Sequence, residues 1–281
     1  MAIIELQDVS KLYGFGDATT VALDEVSLTI NKGEFVAVMG PSGSGKSTLM
    51  NIIGLLDRPT HGNYSLNGRG VARLRTNQQA RARRDTIGFI FQSFNLLSRL
   101  TALENVALPL AYKGLTPGRR LKRASLLLSQ VNLQDREYYL PHQLSGGQAQ
   151  RVAIARALVT SPDVLIADET TGNLDSASSR VVMELLSEIH QTGHTILMVT
   201  HNPELTRYAN RVVYMQDGMV IYDEQTEIGK VPRRARTLMG KLPKTTEEDD
   251  LAGVSALMSA LAPVPKPAPA KAKRRKKAKK S

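Results

Sequence analysis

The sequence predicts an α/β protein built on a buried parallel sheet, with an antiparallel β region ahead of it and a helical segment inserted into it. Three observations carry this. The unbroken apolar runs Phe35-Val-Ala-Val-Met39, Val164-Leu-Ile-Ala167 and Thr195-Ile-Leu-Met-Val199 lack the alternation of a half-wet sheet and suit strands covered on both faces. Helical patterns alternate with them, the clearest over residues 176–190, where Val181, Leu185 and Ile189 form an apolar stripe that ends before Gly193. Between residues 93 and 160 the strand signal disappears, and Thr101-x-x-Glu104 has the form of a capping box opening a helix.

The flanks follow from composition. The short β-like runs Ile3-Ile-Glu-Leu6 and Val26-Ser-Leu-Thr-Ile30, separated by turn residues, account for the antiparallel region. A folded domain is expected over residues 1–224, with its helical subdomain at about 93–160. A C-terminal extension, residues 225–262, follows, and then residues 263–281, whose Pro, Ala and Lys content is that of a disordered basic tail. The net charge of +11 suggests a nucleic-acid partner until it is located. Nine Lys and Arg and no acid lie in residues 263–281, leaving the rest at +2. With no Trp and only 5% aromatic residues, nucleic acid is not an expected partner. The absence of Cys excludes disulfide and thiol chemistry. Met1-Ala-Ile-Ile-Glu5 has no secretory-signal pattern, and no apolar run nears the roughly 20 residues that cross a bilayer. A membrane role is therefore expected through a partner.

The chemistry begins at Gly40-Pro41-Ser42-Gly43-Ser44-Gly45-Lys46-Ser47-Thr48, a phosphate-loop pattern placed after a buried strand and before a helix expected over residues 46–55. Glycines let backbone N–H groups turn toward phosphates, the helix N-terminus adds positive potential, Lys46 reaches the outer phosphates and Ser47 ligates Mg²⁺. A glycine-rich turn of purely structural use would not need the Lys-Ser pair. Asp168, at the end of a strand, stands where a Mg²⁺-holding carboxylate belongs, and Glu169 after it can turn toward the γ-phosphate and polarise a water. An Asp-Glu pair alone would more often be a solvated turn. ATP and Mg²⁺ are the expected cofactors, on a P-loop (RecA-like) ATPase core.

Leu144-Ser145-Gly146-Gly147-Gln148 contains a second capping box, Ser145-x-x-Gln148, and its glycines expose the first N–H groups of a helix running through Ala157. A merely well-capped helix would share these features, but the segment strongly resembles the signature of ABC ATPases. The resemblance covers residues 1 to about 224 and implies that this helix end receives the γ-phosphate of a nucleotide held by a second subunit, in a homodimer. It further implies that Tyr13 stacks on adenine, that Gln92 links Mg²⁺ to a transporter contact, that Asp175 of Asn173-Leu-Asp175 lies in a loop crossing the dimer interface, and that His201 contacts the γ-phosphate. Asp175 is also a plausible helix cap, and His201 precedes a plausible helix start at Asn202-Pro203. The segments at residues 51–60, 91–97 and 101–110 look most like the lipoprotein-release and macrolide-export branch. The resemblance implies an ATPase at the inner face of the cell membrane, energising a permease supplied by a separate chain; a soluble ABC ATPase not coupled to transport is the alternative. Thr170 departs from the family, which usually has Pro there, and so frees Glu169 of a bias toward extended backbone. Phe94, Leu96, Leu97 and Leu100 are expected to offer the permease an apolar docking surface near residues 92–110. The basic stretch at residues 271–280 is a possible contact for anionic lipid.

Overall fold

The computed structural model describes residues 1–14 and 19–232. Strands β1 (Ala2–Tyr13) and β2 (Thr20–Asn31) pair antiparallel, and β4 (His61–Leu66) with the short β5 (Arg69–Gly70) extends them into a four-stranded sheet of order β2-β1-β4-β5. The second sheet holds β3 (Phe35–Met39), β6 (Ile87–Ile90), β7 (Val164–Asp168), β8 (Thr195–Val199), β9 (Arg211–Gln216) and β10 (Met219–Gln225), in the order β10-β9-β3-β8-β7-β6. All its pairings are parallel except that of the edge strand β10 with β9.

Every residue of β3 and β8 is buried, which the apolar runs required. The two-residue period of a strand divides them between two cores. Phe35, Ala37, Met39, Leu165, Ala167, Ile196 and Met198 face one side. There they meet residues of α3 (Ala102–Tyr112), α4 (Pro117–Gln130), α5 (Gly146–Leu158) and α6 (Ser176–Gln191). Val36, Val38, Val164, Ile166, Leu197 and Val199 face the other side, against α1 (Lys46–Ile53) and the inner face of the antiparallel sheet, including Ile4, Leu6, Leu23 and Leu28. Arg211 ties the two sheets, donating to Asp223, Glu34 and the Thr29 carbonyl.

Three local expectations need adjustment. Helix α1 ends at Ile53, because Gly54 and the left-handed Leu55 turn the chain. On α6 the buried stripe is Val182, Leu185, Leu186 and Ile189, while Val181 is 48% exposed. An i, i+4, i+8 series drifts about 40° per step around a 3.6-residue helix, and Val181 sits at the end that has rotated out of the core. Strand β10 runs through Gln225, and the Thr226 and Gly229 amides bond back to the Asn210 and Arg207 carbonyls, so ordered backbone passes residue 224.

The helical stretch between β6 and β7 contains no strand, and α5 packs against both β6 and α6. Thr101 and Glu104 form the expected capping box of α3. The loop ahead of α3 is held by Asn105, fully buried, whose amide accepts from Leu97 N–H and donates to the carbonyls of Leu97, Leu100 and Thr101. An Asn105→Ala substitution strands these backbone groups. It is expected to cost about 2 kcal/mol and to lower the melting temperature by roughly 4–8 °C in a calorimetric scan.

Candidate nucleotide site

The ends of β3, β7 and β8 bring the predicted chemistry together. At the phosphate loop, Gly40 (φ 151°) leaves β3 beneath Met215, and a Cβ there would lie 2.2 Å from the Met215 carbonyl oxygen. Gly45 (φ 94°) caps α1 without any side-chain hydrogen bond, so the first amides of α1 stay open to an anion. Ser42 and Ser47 are exposed and Thr48 half-buried at this mouth. Lys46 is buried, with Nζ 2.9 Å from the Gly40 carbonyl, 2.6 Å from that of Pro41 and 3.3 Å from Ser44 Oγ. Burial pulls its ammonium below the ordinary lysine range, while the charges of Glu169 and Asp168 push it up.

Asp168 ends β7, half-buried. Burial and the neighbouring Glu169 charge hold its carboxyl above the ordinary range, opposed by Lys46. Glu169 steps out of the strand at φ 43°, anchored by its N–H on the Val199 carbonyl at 3.0 Å. That left-handed turn is what re-aims the second carboxylate, and Thr170, buried behind it, permits it. Glu169 Oε1 lies 3.0 Å from His201 Nδ1, joining the ends of β7 and β8 in one pair. Asn202 caps the 3₁₀ turn Pro203–Tyr208 that follows.

The signature is elsewhere. Ser145 and Gln148 close their capping box on α5. Gly147 abuts Ser178 and Gly146 abuts Leu174, so this helix end lies beside Asn173–Asp175 and the start of α6. Leu144 packs on the helical core. Asp175 caps α6, accepting from the Ser178 amide at 2.8 Å and its hydroxyl at 2.7 Å, and these bonds hold its carboxyl below the ordinary range. Among the described residues no hydrogen bond joins residues 144–148 to the phosphate loop. Gln92 stands between the two groups. Its side chain packs on Gly172, where a Cβ would come 2.6 Å from Nε2, and its carbonyl accepts from the Asn173 amide. Tyr13, at the end of β1, is 42% exposed.

A family model described as ABC transporter matches residues 23–172. The chain belongs to the ABC transporter family. YvrO of Bacillus subtilis, named as an uncharacterized ABC transporter ATP-binding protein, is 49% identical over 226 residues, covering 80% of this chain and 99% of that protein. The macrolide export ATP-binding/permease protein MacB of Hyphomonas neptunium is 51% identical over 221 residues, but this chain spans only 34% of its length. Among solved structures, a dimeric post-hydrolysis state of the ATP-binding cassette MJ0796 with ADP and Pi is similar at a TM-score of 0.73, with 44% identity over 79% of this chain and 98% of that one. As an ABC cassette, this chain is a nucleotide-binding ATPase of the kind coupled to transport.

Two residues that hold the loop after Gln92 had no sequence signal. Arg156 on α5 donates to the carbonyls of Phe94 and Asn95, holding the turn after Gln92, where both residues have positive φ. Asn105 holds the next stretch of the same loop. A lone Arg or Asn on a helix ordinarily reads as solvated face, and only the tertiary fold shows what it reaches. The raised Asp168 carboxyl has a consequence for stability. Its charged form is penalised in the fold, so the penalty is absent below the ordinary carboxylate range and grows as pH rises through the raised value. Asp168→Asn is therefore expected to melt higher than wild type at pH 7 without nucleotide, the difference vanishing as pH falls below about 4. Calorimetric scans across pH check this.

Proposed function

We propose that this ATPase energises a membrane permease by closing in pairs on bound ATP. The observation that carries it is the division of the site: Lys46, Asp168, Glu169 and His201 gather at one set of strand ends, while the anion-ready end of α5 points to a different place beside Asn173–Asp175. One copy thus presents half of a phosphate site, and a second copy supplies the other half through residues 144–148. That the similar MJ0796 cassette forms a dimer with ADP and Pi supports pairing of two copies.

In the proposed reaction the amides of Gly43, Gly45 and Lys46 take the phosphates, with the Lys46 ammonium exchanging its loop carbonyls for phosphate oxygens. Ser47 and Asp168 offer the hard oxygen donors that Mg²⁺ prefers, with Gln92 a third; bound there, it would neutralise charge developing on the phosphates. Glu169, oriented by its backbone bond and by His201, polarises the attacking water as general base. His201 keeps its other ring nitrogen for the γ-phosphate. Glu169→Gln is expected to retain ATP binding, lose turnover by about a hundredfold or more, and accumulate dimer in MgATP by sedimentation. A variant that stays monomeric at saturating MgATP, with and without the permease, would rule out the shared site.

We propose a docking surface beside the one expected from sequence. Of Phe94, Leu96, Leu97 and Leu100, only Leu97 is exposed; Leu96 packs on the helical core. A cleft of about 650 Å³ opens instead between α2 (Thr76–Thr86), β6 and the outer side of α3. The stacked Phe89 and Phe91, with Leu108, Pro109 and Tyr112, supply its apolar wall, and Arg81, Arg84 and Arg156 its charge. An amphipathic permease segment carrying a carboxylate suits this lining. No helix among the described residues is long and apolar enough to cross a membrane. The proposed location, on the permease's cytoplasmic side, follows from the proposed coupling to a permease. The tail suggested for lipid contact lies outside the described residues. Arg81→Glu combined with Tyr112→Glu is expected to leave ATP affinity within about twofold, these residues being remote from the phosphate loop, while the membrane partner no longer co-purifies from detergent extracts. Retained co-purification with full transport would place the contact elsewhere.

A further inference from the structure

The segment that follows α1, Gly54-Leu-Leu-Asp57-Arg58-Pro-Thr60, has no part in the chemistry above, yet Asp57, Arg58 and Thr60 fasten it to the end of β1. The Thr60 amide donates to the Ser10 carbonyl, and Leu12 N–H donates to Thr60 Oγ1. Asp57 is the centre of the attachment. Its Oδ1 accepts from Lys11 Nζ at 2.8 Å and from the Arg58 amide at 2.7 Å, and its Oδ2 accepts from the Tyr13 hydroxyl at 2.9 Å. Its own amide is bonded to the Asn51 carbonyl on α1. Burial opposes the charge on Asp57, but the bonds from Lys11, Arg58 and Tyr13 outweigh it and hold the carboxyl below the ordinary range. Thr48, on the first turn of α1, also acts on the Tyr13 hydroxyl, against burial and the Asp57 bond, which raise it.

We propose that Asp57, clamped by Lys11, is a positioning residue that fixes the Tyr13 ring for the base of the bound nucleotide and ties that ring to the phosphate-loop helix. This rests on the reading of Tyr13 as the base-stacking residue. An exposed tyrosine at a strand end would otherwise rotate about χ1, and holding it costs side-chain entropy each time a nucleotide binds. The hydroxyl bond to Asp57 removes that cost in advance. Lys11 adds a second restraint, its ammonium lying 4.8 Å from the ring centroid and covering one face. The base is left the opposite face. Recognition of this kind supplies stacking without reading base edges, so adenine and guanine gain from it alike.

Calorimetry on the full chain with the Mg²⁺ complexes of ATP, GTP and inorganic tripolyphosphate separates the ring from the phosphate loop. Tyr13→Phe and Asp57→Ala are each expected to weaken ATP and GTP by about tenfold, the loss of one hydrogen bond to a charged group, and to leave tripolyphosphate within about twofold. The double variant should be no weaker than either single one, as for two members of one interaction. Equal weakening of tripolyphosphate would show that Asp57 acts only through α1 and overturn the proposal, as would unchanged ATP affinity in Tyr13→Phe, which removes one oxygen and decides the matter if Asp57→Ala does not fold. Tyr13→Ala separates the underlying reading: if it too binds ATP normally, the ring does not stack on the base at all, whereas a loss in Tyr13→Ala without one in Tyr13→Phe removes the Asp57 anchor alone.

Discussion

A buried ammonium has to be compensated, and the compensation of Lys46 organises this molecule. Lys46 is 8% exposed, and water can do little for it. Its neighbours are the carbonyls of Gly40 and Pro41 and, at longer range, the charges of Asp168 and Glu169. Those carboxylates stand at the end of β7, two strands away from β3. The parallel register of β3, β8 and β7 is therefore what brings the opposite charges to one side. A one-residue slip of β7 would send Asp168 to the other face and exchange that strand's contributions to the two cores. The uninterrupted apolar strands are thus as necessary to the electrostatics as the charged residues they end in.

The same economy explains the backbone conformations at the site. Adjacent strand residues point to opposite faces, so Asp168 and Glu169 could not both serve one phosphate from a regular strand. The left-handed φ of Glu169 resolves this by turning the chain at the second carboxylate, and the Glu169 N–H bond to Val199 fixes the turn against β8. Thr170 in place of the family's usual Pro belongs to this geometry. Its hydroxyl is buried without a hydrogen-bond partner among the described residues.

Residue patterns fixed by local physics were legible in the sequence. The buried strands, both capping boxes, the Asp175 cap and the phosphate loop each rest on contacts within a few residues, or on a burial pattern with a clear period. The edge strands β6 and β10 were harder to see, because a strand of four residues or an exposed alternating edge has little period to detect. The apolar set near residues 92–110 raises a different point. Hydrophobicity alone does not say whether Leu96 faces a cleft or the protein's own helices, and that depends on how α3, α4 and α5 pack together. Arg156, Asn105 and Asp57 gave no signal in the sequence because each bonds partners remote along the chain or backbone groups that carry no sequence identity.

The cleft and the hydrolytic site are joined by direct packing along two routes. Gly172, which closes the turn begun at Glu169, touches Gln92, and Gln92 leads into the Phe94–Asn95 turn held by Arg156 at the cleft. Separately, Phe89 on the cleft wall presses on Gly54, where a Cβ would meet its ring at 2.3 Å, directly at the end of the helix that the phosphate loop opens. Close-packed contacts transmit displacement because they cannot be compressed. A shift of α1 is therefore felt at Phe89, and a shift of the Glu169 turn is felt at Gln92, and both arrive on the same surface. Two routes converging on one cleft give a partner seated there access to both ends of the γ-phosphate's surroundings, which neither route alone would provide.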